Sequence, residues 1–145
     1  MKKKLVCSLG LSLILFACSH DQQSVKEQSS ISSLNYTVLK EEIDDVPAYT
    51  NVLTKVLVSE QITKDSLQRL LNQLYSDIMK RKFKYHDVPH TIYIWLYASR
   101  DDAETDSQSI AVLVKEDIQP EPKISFNETQ LTQLIGKWEE KLRDN

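Results

Sequence analysis

Cysteine and glycine are almost missing from this chain of 145 residues, and their scarcity limits its chemistry. Both cysteines, Cys7 and Cys18, fall within the first eighteen residues, so the rest of the sequence has no thiol for a disulfide, a metal site or a nucleophile. The two glycines are Gly10 and Gly136. Residues 19–145 therefore cannot contain a glycine-rich phosphate loop, a dinucleotide-binding fingerprint or a G-x-S-x-G elbow.

Positive charge is also in short supply. The chain has 21 acidic residues against 18 Lys and Arg, and three of the lysines stand at positions 2–4. For the residues after position 17 the balance is 15 − 21 = −6. Nucleic acids are bound mainly through Lys and Arg contacts to phosphate, so this acidity argues against a nucleic-acid partner.

The first eighteen residues carry the most specific pattern in the sequence. The lysines at 2–4 precede an apolar run over 5–16, which is too short to span a bilayer by itself. Leu15 lies three residues before Cys18, and Ala17 lies directly before it. A basic start, a short apolar run and a box of this kind resemble the signal of bacterial lipoproteins.

The resemblance implies that residues 1–17 are removed and that the Cys18 thiol receives a diacylglyceryl group, often followed by acylation of the freed amine. Two or three acyl chains hold a protein on a bilayer without a transmembrane helix, so the bilayer is an expected partner through Cys18. The expected location is the cell envelope. Ser19 stands where an aspartate retains enterobacterial lipoproteins at the inner membrane, which favours the periplasmic side of the outer membrane in a Gram-negative cell. The alternative is an ordinary signal peptide or a single-pass anchor.

Composition divides the remaining chain into a tether and a domain. Residues 18–33 comprise the lipidated cysteine and a serine-rich polar stretch with too few apolar residues to bury a core, so they predict a disordered tether. As a flexible coil, such a segment spans about 20 Å on average. Residues 34–145 have the length of one small domain with a single core.

Apolar periodicity predicts an α+β fold for that domain. Strands are indicated by alternating or β-branched apolar side chains over 34–38, 50–58, 91–97 and 110–114. Helical spacing begins after Thr63 and again after Asn127. The predicted order is ββαββα, and the simplest arrangement is a four-stranded antiparallel sheet with both helices on one face. Gly136 in the last helix predicts a close packing contact, because glycine otherwise costs about 1 kcal/mol there relative to alanine.

The strand at 91–97 has large side chains on both faces. An aliphatic set alternates with an aromatic set: Ile92, Ile94 and Leu96 against Tyr93, Trp95 and Tyr97. If both helices cover one face, the aromatic set faces outward and offers a surface to a partner protein or a second copy, because Tyr and Trp are enriched at binding hot spots. The aromatic set could equally be the core face itself, with the aliphatic set packed beneath a loop, and the sequence favours burial of these rings inside the monomer over a partner surface.

A second candidate site lies in the loop before that strand. His86, Asp87 and His90 are residue types that bind zinc, but Pro89 prevents the continuous helix that would bring both histidines to one face. A surface loop is the simpler interpretation, and a metal-binding or hydrolytic site is the alternative. The acidic stretch 100–106 lacks the glycine of a calcium-binding loop and predicts an acidic hairpin tip.

The residues contain no local catalytic motif, and a domain this short has little room for a substrate pocket beside its core. The sequence therefore predicts an envelope lipoprotein that is not an enzyme and needs no cofactor. Its α+β domain is expected to act as an interaction module for an unknown envelope protein or for itself.

Overall fold

A computed structural model of the protein describes residues 34–59 and 62–143, with only the backbone described at position 142. The predicted signal peptide, the lipid site at Cys18 and the serine-rich tether lie outside the described residues. The described part combines helices with one mixed sheet, which confirms the α+β class.

Five strands and three helices follow one another in this part of the chain. Their order and bounds are β1 (Tyr36–Val46), β2 (Tyr49–Val58), α1 (Lys64–Met79), β3 (Thr91–Tyr97), α2 (Arg100–Thr105), β4 (Ala111–Lys115), β5 (Lys123–Phe126) and α3 (Glu128–Arg143). The strands form one sheet in the order β1-β2-β3-β4-β5. Neighbouring strands pair antiparallel, except that β2 and β3 run parallel.

The connections between the strands explain this mixed pairing. β1 and β2 are joined by a two-residue turn at 47–48 and form a hairpin with Val46 opposite Tyr49. Between β2 and β3 the chain passes through α1, and a helical crossover of this kind joins parallel strands. The predicted four-stranded antiparallel sheet is therefore wrong in two respects, the parallel pair and the additional strand.

One face of the sheet holds the core. The alternate side chains of β2, β3 and β4 on this face are buried, among them Val52, Val56, Ile92, Ile94, Leu96 and Leu113. α1 packs on them through the predicted stripe of Leu67, Leu70, Leu71, Leu74 and Ile78. α3 contributes the buried Leu131 and the partly buried Leu134 and Ile135 to the same cluster. Both long helices therefore pack on one core, as the sequence predicts.

Capping residues fix where the long helices begin. The Thr63 hydroxyl accepts a hydrogen bond from the Ser66 amide at 3.1 Å, and the Ser66 hydroxyl accepts one from the Thr63 amide at 2.9 Å. This reciprocal pair satisfies two amides that have no partner within α1. At α3, the Asn127 side chain accepts from the Gln130 amide at 3.2 Å. Both start signals were correctly indicated by the sequence.

Two short elements are absent from the sequence prediction. Residues 100–105 form α2 instead of the predicted acidic hairpin tip, because Ser99 caps the helix by accepting from the Asp102 amide at 3.1 Å and because Ala103 is buried. β5 is a strand of four residues that follows Pro120 and Pro122 and places two of its side chains against the core. An alternation over so few residues carries little signal.

Gly136 does not mark a close helix contact. A Cβ atom built at this position meets no atom within 4 Å, and the backbone φ is not positive. The predicted close approach is therefore wrong.

Candidate functional site

The sheet face opposite α1 and α3 is named here the open face. In β3, Ile92, Ile94 and Leu96 are fully buried on the core side, whereas Tyr93 and Trp95 are half-buried on the opposite side. The aliphatic set is thus the core set, and the aromatic set lies on the other face. The half-buried apolar side chains of the open face are Leu53, Leu57, Tyr93, Trp95, Val112 and Val114.

An aromatic stack occupies the middle of the open face. The ring centroids of Tyr93 and Trp95 lie 5.3 Å apart and the ring planes differ by 7°. The neighbouring strands place Lys55 and Val112 beside Trp95 in register. The Tyr93 hydroxyl donates to a Glu116 carboxylate oxygen at 3.4 Å. Because strands flank it on both sides, the stack forms a rigid platform of large apolar area.

Tyr97, the third predicted aromatic contact, is only 2 % exposed. Its hydroxyl donates to Asp106 Oδ1 at 3.1 Å, and Lys55 Nζ lies 2.6 Å from the same oxygen. Lys55 Nζ also donates to the carbonyl of Ala103 in α2 at 2.9 Å. These contacts hold α2 against one end of the open face. The prediction that Tyr97 contacts a partner is therefore corrected, because the chain from α2 to Asp106 covers its ring.

Charge and burial shift two pKa values in this network. The hydrogen bond from Lys55 is the main reason that the pKa of the Asp106 carboxyl lies below its usual range. Burial first, and then the hydrogen bond to Asp106, raises the pKa of Tyr97 to about 12. Asp106 is therefore ionised and Tyr97 neutral near pH 7, which are the states that their shared hydrogen bond requires. The backbone of Asp106 has φ 54°, a left-handed conformation that Asp tolerates better than most residues.

A groove lies between the aromatic stack and this network. Its volume is about 310 Å³, and its walls are formed by Leu53, Lys55, Trp95, Tyr97, Asp106, Ser107 and Ser109. The volume is at the lower end of the range for small-ligand sites, about 300–1,000 Å³. The walls combine an indole ring and an aliphatic side chain with hydroxyls and an ion pair, so the groove can contact both apolar and polar groups.

The two loop histidines meet at a fully buried threonine. The Thr50 hydroxyl donates to Asp45 Oδ1 at 2.6 Å and lies 2.9 Å from His86 Nδ1. Because the hydroxyl proton points to Asp45, the hydroxyl oxygen accepts from the histidine N–H. The Thr50 amide donates to His90 Nδ1 at 3.1 Å, and the Thr50 carbonyl accepts from the His90 amide at 2.7 Å. The imidazole rings of His86 and His90 lie 4.4 Å apart, edge to face.

These contacts join the loop after α1 to the β1–β2 hairpin. The Lys84 amide donates to the second oxygen of Asp45 at 2.6 Å. The pKa of Asp45 lies below its usual range, chiefly because of the hydrogen bond from Thr50. The Thr50 hydroxyl is 0 % exposed and cannot reach a substrate. The Nδ1 atoms of His86 and His90 therefore hold the loop in place.

The predicted alternative of a metal site finds no support in this geometry. Asp87, the third residue of the predicted set, is exposed and lines a shallow groove of about 410 Å³ together with His86 and His90. Within residues 34–59 and 62–143, no group of three or more His, Cys, Asp or Glu side chains is placed to hold a metal ion. The open face is thus the stronger candidate site.

Sequence reasoning missed the residues that organise both clusters. Lys55 breaks the apolar pattern on the open-face side of β2, which is a weak sign of a special role. Asp106 and Thr50 carry no such sign, because the main partners Lys55, His86 and His90 are distant in sequence and are brought near only by the fold.

Comparisons with protein families, with curated proteins and with solved structures find no significant match to this chain. In the described ranges, no helix is long and apolar enough to cross a membrane.

Proposed function

We propose that the protein is a membrane-anchored lipoprotein of the bacterial cell envelope whose α+β domain binds a partner protein through the open face. The observation that carries this proposal is the half-exposed Tyr93–Trp95 stack on the face that α1 and α3 leave uncovered. Large aromatic rings held rigidly at the centre of an apolar surface are typical of binding hot spots.

Lipid attachment at Cys18 supports a binding role. An acylated cysteine confines the domain to one membrane surface, and the tether over residues 18–33 lets the domain reach partners near that surface. Confinement raises the effective concentration of each partner, so a contact of modest area suffices for binding. The proposed location is the periplasmic side of the outer membrane in a Gram-negative host.

Photo-crosslinking in living cells tests the binding role. A photoreactive amino acid is placed at Val112 or Val114, which flank the stack in register without removing either ring. The matched control position is Glu139, an exposed residue of α3 on the other side of the domain. We expect discrete crosslinked bands from positions 112 and 114 and none from 139. If 112 and 114 capture nothing while the protein remains folded and lipidated, the binding proposal is wrong.

A separate variant tests the anchor. Cys18→Ala is expected to abolish labelling by palmitate and to move the protein from the membrane fraction to the soluble fraction. Palmitate labelling that persists in Cys18→Ala, or that is absent from the wild type, would contradict the lipoprotein assignment.

A further inference from the structure

Acidic side chains predominate on the open face and on α2. Strand register places the side chains of Lys40, Glu42 and Asp44 beside the open-face side chains of β2. The acidic residues of this surface are Glu42, Asp44, Asp101, Asp102, Glu104, Asp106 and Glu116, and the basic residues are Lys40, Lys55, Arg100 and Lys123. A second copy of the chain would bring the same excess of negative charge against this surface, which disfavours self-association and favours a basic partner.

Two of the four cations are already neutralised. Lys40 Nζ lies 2.6 Å from a Glu42 oxygen, and Lys55 Nζ lies 2.6 Å from Asp106 Oδ1. The surface therefore offers a partner more uncompensated carboxylates than uncompensated cations.

The Glu116 carboxylate is in direct contact with the aromatic stack. Its Oε1 accepts from the Tyr93 hydroxyl at 3.4 Å and its Oε2 from the Gln119 side chain at 3.5 Å. Both contacts are long, and both donors are neutral. A guanidinium or ammonium group placed beside Glu116 and over the neighbouring rings would gain an ion pair and a cation–π contact together.

We infer that the partner lays a basic, extended segment along the open face, with an Arg or Lys side chain beside Glu116 and the Tyr93–Trp95 stack. This inference rests on the proposed protein-binding function. The part of the open face that such a segment would cover runs along β3 from Tyr93 to Tyr97, where α2 begins to cover the sheet. This is a distance of four residues along the strand, or about 13 Å. It matches about five extended residues of a partner, of which alternate side chains face the sheet. Arg suits the site better than Lys, because its planar group stacks on rings and pairs with a carboxylate at the same time.

Peptide binding to the full lipidated chain tests this inference. The chain is held in phosphatidylcholine nanodiscs, and the probes are fluorescent ten-residue peptides that alternate Arg with Thr or Glu with Thr. Fluorescence anisotropy is expected to show binding of the Arg peptide only. Glu116→Gln should weaken this binding about fivefold, the value of a favourable exposed ion pair. The matched variant Glu139→Gln removes the same charge from α3 and should leave the affinity unchanged.

The aromatic contribution is tested at Trp95. Trp95→Leu should weaken binding of the Arg peptide about tenfold or more, whereas Trp95→Phe, which keeps a ring, should retain most of the affinity. Circular dichroism establishes that each variant is folded.

Four results would overturn the inference. Equal losses in Glu116→Gln and Glu139→Gln would show that net charge alone attracts the peptide. Binding of a neutral N-acetylglucosamine tetramer in place of the Arg peptide would assign the face to a saccharide. Absence of peptide binding while positions 112 and 114 still crosslink a protein in cells would reject a basic segment but leave the binding function intact. Loss of those crosslinks as well would reject both.

Discussion

We expect the same substitution, threonine to valine, to change the free energy of unfolding in opposite directions at two positions of β2. Thr50 and Thr54 point to the same side of the sheet and are 0 and 2 % exposed. The Thr50 hydroxyl is hydrogen-bonded between Asp45 and His86. Among the described residues, Thr54 Oγ1 has no hydrogen-bond partner. Replacing each threonine by valine removes a hydroxyl while keeping a β-branched side chain of nearly the same shape.

The magnitude at Thr54 follows from its environment. A buried polar group without a partner costs about 1–3 kcal/mol. Val52, Val56 and Ile94 are buried on the same side of β2 and β3, so a methyl group at this position meets apolar neighbours. Strand propensity does not oppose the change, since Val and Thr both favour strands. We expect Thr54→Val to raise the free energy of unfolding by about 1–2 kcal/mol, which raises Tm by about 5 °C or more for a domain of this size.

Thr50→Val should act in the opposite direction. The substitution removes the donor to Asp45 and the acceptor for His86, and it loosens the loop that these contacts hold. The free energy of unfolding should therefore fall. Thr54→Ser serves as a second control, because it keeps the unpaired hydroxyl and loses a buried methyl group, so it should also destabilise.

Urea unfolding followed by far-ultraviolet circular dichroism measures all three variants against the wild type. The free energy of unfolding must fall with urea concentration at the same slope in all variants. A different slope would mean that the substitution has changed the unfolded or the folded state. A Thr54→Val protein no more stable than the wild type would refute the reasoning, since it would show that the hydroxyl is satisfied in solution.

Three further predictions concern stability. Gly136→Ala should raise the free energy of unfolding by about 1 kcal/mol in thermal unfolding, because the helical glycine has open space around it. Tyr97 ionises near its ordinary pKa of 10.0 when unfolded but at about 12 when folded, so the wild type should lose stability between these pH values and Tyr97→Phe should lack that loss. The pKa of Asp45 is lowered from 3.8 in the folded protein, so its contribution to stability is present above that pH and is lost below it; Asp45→Asn should therefore show a shallower fall in stability on acidification.

Long periodic segments explain why the fold class was predictable. The leucine stripe of α1 runs over about three turns, and the Thr63 cap lies directly before the first residue of the helix. A long helix has many apolar residues at helical spacing, so its pattern is still recognised when one of these positions is polar. α2 and β5 have six and four residues, and their burial depends on contacts with strands far away in sequence.

The parallel pairing of β2 and β3 was predictable from lengths that the sequence already indicates. A helix of sixteen residues such as α1 rises about 24 Å, and a strand of seven residues such as β3 rises about 23 Å. The helix therefore carries the chain back along the full length of the sheet, and the next strand begins at the end where β2 began. The antiparallel prediction is wrong because α1 acts as a crossover between β2 and β3.

The candidate site was predictable only in part. Alternation along β3 correctly separates an aliphatic set from an aromatic set, but it does not show that α2 folds over Tyr97. That outcome depends on the ion pair between Lys55 and Asp106, residues 51 positions apart in the sequence. The role of His86 and His90 likewise depends on Thr50, which the fold alone brings to them.

The open face follows from how the helices are distributed. α1 and α3 each have sixteen residues and both pack on one side of the sheet, while α2 has six residues and covers only one end of the other side. Threonine is well tolerated at exposed sheet positions, so folding does not require two stacked rings at Tyr93 and Trp95. Smaller polar side chains at these two positions would leave less apolar surface in contact with water. The core would stay closed, because it lies on the opposite face of the sheet. These features support our proposal that a partner covers the rings, and the acidic residues around them favour a basic partner.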